Sequence, residues 1–340
     1  MSRQGDVLTP NMKHIYDEFE KQARKAVDES FVGQYRGLGD IFKFQMGWNE
    51  QSGKRGKRIR PLMLLLTVDG FKKNWNKAIP AAIALELIHN YSLIHDDIED
   101  NSKLRRGVET VWVKWGQPQG INSGDAMLNL AFSVLWKLES DYSQQTVMET
   151  MKTLQQYSMD LTKGQYLDID FETQSKVTIG DYLDMVEGKT CSLFKAALEI
   201  GAILGDASAQ DRLQLRKCGS LFGMAYQIQD DWLGIWGNES VTGKSNQSDL
   251  LERKKTYPVI LGLQKNQQFL KLWNQTEDND QLPILEMTKA LEEEGIKQAT
   301  ESEFNRVYEE AFSLLKLLGK KYKEFEGLSD FIRLLLKRQF

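Results

Sequence analysis

The stretch "AAIALELIHNYSLIHDDIED", residues 81–100, decides the fold of this chain. Its first half is apolar around the whole helical circumference, which indicates a helix in an interior rather than on a surface. Its end carries four acids in five positions. The stretch "RLQLRKCGSLFGMAYQIQDDWLGIW", residues 212–236, is a second apolar helix with an Asp-Asp pair at its expected end. Two buried helices that lead into acidic clusters predict an all-α core with a polar site.

Composition excludes several classes of protein. The 340 residues are 41% hydrophobic and 27% charged, which is typical of a soluble globular protein, and the net charge of −4 gives no basic field for nucleic acid. The first residues contain no apolar secretory core, and no apolar run is long enough for a bilayer. Two cysteines without metal-type spacing indicate a cytoplasmic protein, and three histidines do not suggest a zinc centre.

The rest of the chain repeats apolar residues at three- and four-residue spacing, and strand-type alternation is scarce. The breaks between these segments are short and are not of low complexity. They lie near residues 51–61, 70–80, 114–120, 205–211 and 237–249. We therefore predict one all-α domain over residues 1–340, a helical bundle of about ten or more helices.

The acids of the first stretch have a spacing that suits a metal ion. Asp96 and Asp100 are four residues apart and share a helical face, whereas Asp97 and Glu99 turn aside. Carboxylates about 6 Å apart repel each other by about 3 kcal/mol at an effective dielectric near 20. A divalent cation reverses this repulsion, and Mg²⁺ usually binds one or two carboxylates with phosphate oxygens and water. Asp230 is the candidate partner from the second helix.

Other interpretations of the acidic cluster stay open at this point. A solvated acidic helix end would need no ligand at all. A calcium loop is disfavoured because the acids do not alternate and no glycine interrupts them. A glycosidase carboxylate pair is possible in principle, but the many bases nearby argue against it.

Bases accompany each acidic cluster. For any single base, a solvated surface charge is the simpler interpretation. Basic side chains around metal-binding acids are nevertheless typical of a site for diphosphates. The loop before Pro61 also precedes a helix start, where free N–H groups favour an anion. Lys189 and Lys244 each follow a glycine in an expected break. No P-loop is present.

Five motifs occur in the order found in one family. They are "GKRIRP" (56–61), "HDDIED" (95–100) with "LRRG" (104–107), "GKT" (188–190), "YQIQDD" (226–231) and "ERKKTYP" (252–258). With these motifs the chain resembles the trans-isoprenyl diphosphate synthases, the polyprenyl synthetase family, over about residues 50–265. The resemblance implies a helical bundle around a deep central cavity, of the class I isoprenoid synthase type, as a homodimer.

The resemblance also implies an activity. An allylic diphosphate (dimethylallyl, geranyl or farnesyl) ionises, and its cation alkylates isopentenyl diphosphate head to tail, with about three Mg²⁺ ions when substrate is bound. An apolar cavity would give the cation no water to capture.

The resemblance assigns roles to residues by position. Asp96, Asp100 and Asp230 would hold Mg²⁺. Isopentenyl diphosphate would be held by Lys57, Arg60, His89 and Arg106. The allylic diphosphate would be held by Arg105, Lys189, Thr190, Gln227, Lys244 and Lys254. The catalytic set would be Asp96, Asp100, Lys189, Asp230 and Lys244. Without the family, a buried hydrogen-bonded histidine would be the simpler interpretation of His89.

Product length in this family depends on bulk just before the first acid motif. Tyr91 and Ser92 occupy those positions, and Tyr91 would form a floor for the growing chain. With the short first motif, this resembles geranylgeranyl (C20) synthases, with farnesyl (C15) as the alternative. Gly234 stands where many relatives have a third acid, which puts metal affinity at Asp230 in question.

Two other functions remain open. A class I terpene cyclase also uses aspartates and Mg²⁺, but it would not need the second diphosphate site of Lys57, Arg60 and His89. A regulatory subunit of a heteromeric synthase would be expected to lose first-motif acids, which this chain retains.

Overall fold

The protein is almost entirely helical in its computed structural model. The structure describes residues 8–49, 55–237, 248–274 and 283–336. Within these residues the strands are β1 (Leu104–Arg105) and β2 (Val108–Glu109), an antiparallel pair in which Leu104 lies opposite Glu109 and Arg105 opposite Val108. The prediction of an all-α fold is confirmed.

The helices of the first part of the chain include the one that ends in the first acidic motif. They are α1 (Pro10–Ser30), α2 (Arg36–Gln45), α3 (Ile59–Gly70), α4 (Ile79–Glu99), α5 (Val111–Trp115), α6 (Gln117–Leu135) and α7 (Gln144–Thr173). Short 3₁₀ turns lie at Gly33–Tyr35, Trp75–Ala78 and Trp136–Ser140. The expected break at 70–80 therefore contains one of these turns.

The helices of the second part of the chain include the one that carries the second acidic motif. They are α8 (Ile179–Val186), α9 (Ser192–Leu204), α10 (Ala209–Trp236), α11 (Ser248–Leu251), α12 (Tyr257–Lys265), α13 (Gln267–Trp273), α14 (Ile284–Glu293), α15 (Ile296–Lys321) and α16 (Glu326–Leu336). A π-helical turn, Glu187–Cys191, joins α8 to α9, and a 3₁₀ turn lies at Lys323–Phe325.

Burial explains why α3 and α4 lack an amphipathic pattern. All residues of α3 except Arg60 and Asp69 are buried, and α4 is buried along most of its length. Both helices therefore need no polar face, as their composition predicted. Local signals fix the helix starts: Thr9 caps α1, and Thr178 with Asp181 forms a capping box on α8.

The chain divides into two compact units. The first comprises residues 1–158, 196–216 and 315–340, and the second comprises residues 159–195 and 217–314. The first unit contains the "GKRIRP" and "HDDIED" motifs, and the second contains "GKT", "YQIQDD" and "ERKKTYP". The prediction of a single domain over residues 1–340 stays a prediction.

Two local predictions need correction. Asp230 and Asp231 do not end their helix, because α10 continues to Trp236. Lys189 does not lie in a break, because the π-helical turn continues the helical path through Gly188. The apolar pattern of α10 continues past the aspartates, since Ile235 is buried. A Cβ on Gly188 would lie 2.8 Å from Gly164 Cα, so the close approach of α7 explains this glycine better than a break does. Within the described part of the chain, no helix has the length and apolar character to cross a membrane.

Candidate active site

The first acidic motif lies at the end of α4. The Asp100 N–H donates to the Asp96 carbonyl at 2.9 Å, so the two residues are one helical turn apart, as their spacing predicted. Glu99 is exposed, as expected. Asp97 is buried, however, and does not turn toward solvent.

The β1–β2 hairpin brings Arg105 onto these aspartates. Its Nη2 donates to Asp96 Oδ2 at 2.9 Å and its Nε donates to Asp97 Oδ1 at 2.7 Å. Burial raises the pKa of Asp97 to about 6, although Arg105 opposes this shift. Asp97 Oδ2 is buried and has no hydrogen-bond partner among the residues that the structure describes. Arg105, predicted to hold the allylic diphosphate, thus bridges two aspartates of the first motif here.

The predicted isopentenyl diphosphate ligands lie in the same unit. The Nη1 atom of Arg60 lies 3.3 Å from His89 Nε2. A guanidinium can only donate, so Nε2 accepts and His89 is neutral. Burial and the neighbouring arginines, Arg60 foremost, lower the pKa of His89 well below its usual value, which agrees with this assignment. In this geometry His89 orients Arg60, and Nδ1–H is the one group of its ring that can donate to a further ligand. Lys57, two residues after the described segment begins, is half-buried.

Arg106 occupies the tip of the β1–β2 hairpin with Gly107. Both residues have positive φ, 55° and 83°, as a two-residue hairpin turn requires. Residue Arg106 is exposed as a whole, but its guanidinium reaches back toward Gly56. Burial of the guanidinium and the positive charge of Arg58 lower the pKa of Arg106 to about 10.

The predicted chain-length residues lie one turn before Asp96 on α4. Tyr91 is buried, and its ring meets the His95 ring edge-on at a centroid distance of 5.8 Å. Helix α6 approaches His95 closely at Gly124, where a Cβ would lie 2.2 Å from His95 Nε2. Ser92 is half-buried and donates to the His89 carbonyl.

In the second unit, the π-helical turn presents Lys189 and Thr190. Gly164 of α7 packs against this turn so closely that a Cβ on it would lie 2.0 Å from the Lys189 backbone nitrogen. A π turn inserts an extra residue into a helix and is frequent at functional sites. Lys189 Nζ forms an ion pair with Asp168 at 2.5 Å. Sequence reasoning missed Asp168, which lies one helical turn beyond Gly164 on α7 in "GQYLD".

Two further predicted residues meet through hydrogen bonds. The Thr190 hydroxyl donates to Gln227 Oε1 at 2.7 Å, and Gln227 Nε2 donates to Asp231 Oδ1 at 2.8 Å. Asp231 also accepts from the Tyr182 hydroxyl and from the Tyr257 N–H. Burial, with a smaller effect of Asp249, raises the pKa of Asp231 to about 7. Asp231 therefore orients Gln227 from a buried position that the sequence did not reveal.

Asp230 is half-buried on α10 and precedes Gly234 by one turn. A Cβ on Gly234 would lie 2.0 Å from Asp249 Oδ2. The Asp249 carboxylate of α11 thus lies directly against Gly234. Lys254 is exposed and pairs with Glu252 at 3.2 Å. Lys244 lies outside the described residues, and the expected pairing of Asp230 with Asp96 and Asp100 stays a prediction.

The carboxylates at the end of α4 suit Mg²⁺, which substrate and water also coordinate, better than a metal ion that is enclosed by protein ligands alone. In the described ranges no three carboxylates, imidazoles or thiols are grouped to enclose an ion. Mg²⁺ is usually held by one or two carboxylates together with substrate phosphates and water. Asp96 and Asp100 lie one turn apart at the end of α4, and Asp97 Oδ2 has no hydrogen-bond partner among the described residues. These carboxylates fit a Mg²⁺ ion that also binds phosphate and water.

An all-α fold with such an aspartate motif is what the resemblance to the isoprenyl diphosphate synthases predicts. A crystal structure of a geranylgeranyl pyrophosphate synthase superposes with a TM-score of 0.85 and 30% identity, covering 97% of this chain and 99% of that one. The family model for polyprenyl synthetase matches residues 48–292. The chain belongs to the polyprenyl synthetase family. The predicted fold and family are confirmed.

Two relatives characterise the match further. A geranylgeranyl diphosphate synthase of Methanosarcina mazei is 43% identical over 210 residues, 62% of this chain and 64% of that protein. A (2E,6E)-farnesyl diphosphate synthase of Mycobacterium bovis is 35% identical over 259 residues, 75% of this chain and 67% of that protein. The chain thus spans slightly less than two thirds of the first relative.

Proposed function

We propose that this protein is a Mg²⁺-dependent trans-isoprenyl diphosphate synthase. It condenses an allylic diphosphate with isopentenyl diphosphate head to tail, and its product is geranylgeranyl diphosphate. One observation carries the proposal: the aspartates at the end of α4 and the cations Arg60 and Arg106, with neutral His89 beside Arg60, occur in one unit around the same helix. This arrangement supplies carboxylates for a metal ion and cations for a diphosphate.

Each group of residues would bind a different component of the reaction. Asp96, Asp100 and Asp230 would hold Mg²⁺, which when bound stabilises the negative charge on the departing diphosphate. Lys189, Thr190, Gln227, Lys244 and Lys254, with Arg105, would hold the allylic diphosphate. Lys57, Arg60 and Arg106 would hold isopentenyl diphosphate, with His89 orienting Arg60.

The C20 product is supported by two observations. Tyr91 is a buried aromatic residue one turn before the first aspartate, where it can limit the growing chain. The Methanosarcina mazei relative with 43% identity is a geranylgeranyl synthase, whereas the farnesyl synthase of Mycobacterium bovis is 35% identical. Farnesyl diphosphate is therefore the second candidate product.

Chromatography of the products tests the proposal. The purified protein is incubated with each allylic starter, with and without isopentenyl diphosphate, in Mg²⁺ and after chelation. We expect a C20 diphosphate that requires both substrates and is lost on chelation. A hydrocarbon formed without isopentenyl diphosphate would instead identify a class I terpene cyclase. Lack of turnover by the protein alone would favour a regulatory subunit.

Two further features belong to the proposal. We infer a homodimer, which follows from the family resemblance, and a cytoplasmic location, which follows from the two isolated cysteines. Sedimentation of the purified protein, which should give about twice the chain mass of 39.1 kDa, tests the first. Fractionation of cells tests the second.

A further inference from the structure

A buried cluster of charges lies beside the loop that carries Lys57 and Arg60. The Arg58 side chain is 0% exposed. Its Nε donates to Glu20 Oε1 at 2.6 Å, its Nη1 donates to Glu86 Oε1 at 3.0 Å, and its Nη2 donates to the Met46 carbonyl at 2.5 Å. Arg58 is thereby attached to α1, to α4 and to the end of α2.

The backbone at this cluster is unusual. Arg58 has φ 52° and Arg106 has φ 55°, both in the left-handed region. For a residue other than glycine this conformation costs about 1–2 kcal/mol, and such residues concentrate at functional sites. The two arginines also meet: a Cβ on Gly56 would lie 3.1 Å from Arg106 Nη2 and 3.3 Å from Arg58 Nη1. Both strained residues thus direct a guanidinium to the same place.

The two glutamates balance this crowding of positive charge. A buried cation is stable only when carboxylates and hydrogen bonds compensate for its lost hydration. Glu20 and Glu86 do this for Arg58, so that Arg58 can remain beside Arg106. Glu20 is itself held, because the Trp48 indole N–H donates to its Oε2 at 2.6 Å and Arg24 lies over the Trp48 ring at 5.2 Å.

Glu20 lies on α1, which precedes the segment matched by the family model at residues 48–292. Lys57 and Arg60 flank Arg58 on a short loop and the first turn of α3. A shift of Arg58 would therefore move both cations. We propose that Glu20 is a positioning residue, which through Arg58 holds Lys57, Arg60 and Arg106 in place to bind isopentenyl diphosphate. The inference rests on the proposed function and extends it to the N-terminal helix.

The substitution Glu20→Gln tests the proposal in the full-length protein. Glutamine keeps the shape and an acceptor oxygen but removes the charge that compensates Arg58. We expect the Kd for isopentenyl diphosphate, measured by calorimetry, and its KM to rise about tenfold, the effect of losing one charge-assisted hydrogen bond. The KM for the allylic diphosphate should change less than about twofold. A structural role alone would not separate the two substrates.

A matched control lies on the same helix. Glu18 pairs with Lys21 at the surface, so Glu18→Gln removes the same charge without touching Arg58 and should leave both KM values unchanged. If Glu20→Gln does not fold, Trp48→Phe removes the indole donor to Glu20 while it keeps an aromatic ring beside Arg24 and Arg58, and it should raise the same KM by about two- to threefold.

The outcomes separate this inference from the proposed function. Equal binding of isopentenyl diphosphate by the wild type and by Glu20→Gln would overturn the positioning role while product formation by the wild type stands. An equal rise of both KM values would overturn it as well. Absence of product from the wild type would overturn the proposed function, and this inference with it.

Discussion

At the scale of single residues, Gly234 has no side chain, and the Asp249 carboxylate lies where its Cβ would be. Alanine there would place its Cβ 2.0 Å from Asp249 Oδ2. We expect Gly234→Ala to lower the free energy of unfolding by about 1–3 kcal/mol, measured by chemical denaturation. Gly319→Ala is the control: it lies within α15 with nothing within 4 Å, and should stabilise the protein by about 0.5–1 kcal/mol. Equal changes in the free energy of unfolding for the two variants would contradict the close contact between Gly234 and Asp249.

Asp96 and Glu99 form a pair of acids in one motif with different expected roles. Asp96 accepts from Arg105 and is proposed to bind Mg²⁺, whereas Glu99 is exposed. We expect Asp96→Asn to lower kcat by about 10²-fold or more, and Glu99→Gln to leave it within about twofold. Steady-state kinetics at saturating Mg²⁺ check this. An active Asp96→Asn variant would exclude Asp96 as a metal ligand.

Tyr91 tests the proposed limit on product length. Tyr91→Ala removes the buried ring and should shift the product beyond C20, whereas Tyr91→Phe retains the ring and should leave the product unchanged. Reversed-phase chromatography of the dephosphorylated products gives the result. If Tyr91→Ala still forms the C20 product, then Tyr91 does not limit the length of the product.

At the scale of secondary-structure elements, the π-helical turn depends on the helix that packs against it. A Cβ on Gly164 would lie 2.0 Å from the Lys189 backbone nitrogen, so Gly164→Ala must displace α7 or the turn. We expect a loss of about 1–3 kcal/mol of stability and a higher KM for the allylic diphosphate, because Lys189 and Thr190 would move.

Gly180→Ala provides the comparison for Gly164. Gly180 lies in α8, where a Cβ would meet only Thr178 Oγ1 at 3.6 Å, an ordinary contact. The KM of this variant should match the wild type, and its thermal unfolding should show no loss of stability, because alanine is at least as favourable as glycine in a helix. If Gly164→Ala behaves in the same way, then α7 does not fix the π-helical turn.

At the scale of the whole molecule, the half-buried His89 should make folding sensitive to acid. Its pKa in the folded protein is depressed, so His89 stays neutral there while it protonates in the unfolded chain below about pH 6.5. Its contribution to stability is therefore complete above pH 6.5 and decreases as pH falls, by at most about 1.4 kcal/mol per unit. Denaturation of the wild type and of His89→Gln at pH 7.5 and 5.5 should show a smaller acid loss in the variant. Parallel losses would contradict a neutral His89.

How much the sequence predicted can be judged from particular residues. The apolar patterning of α4 and the order of five motifs were sufficient for the fold and the family. The four-residue spacing of Asp96 and Asp100 was sufficient to place them one helical turn apart. These features are local or nearly so, because helical periodicity and motif order can be read along the chain.

The tertiary structure decided the rest, because it depends on contacts between residues far apart in sequence. It placed Arg105 on Asp96 and Asp97, Asp249 beside Gly234, and Asp168 beside Lys189. It also joined Glu20 to Arg58 across 38 positions. A sequence records which charges are present, but burial and packing determine which of them meet, since only contact in the folded state compensates a charge for its lost hydration.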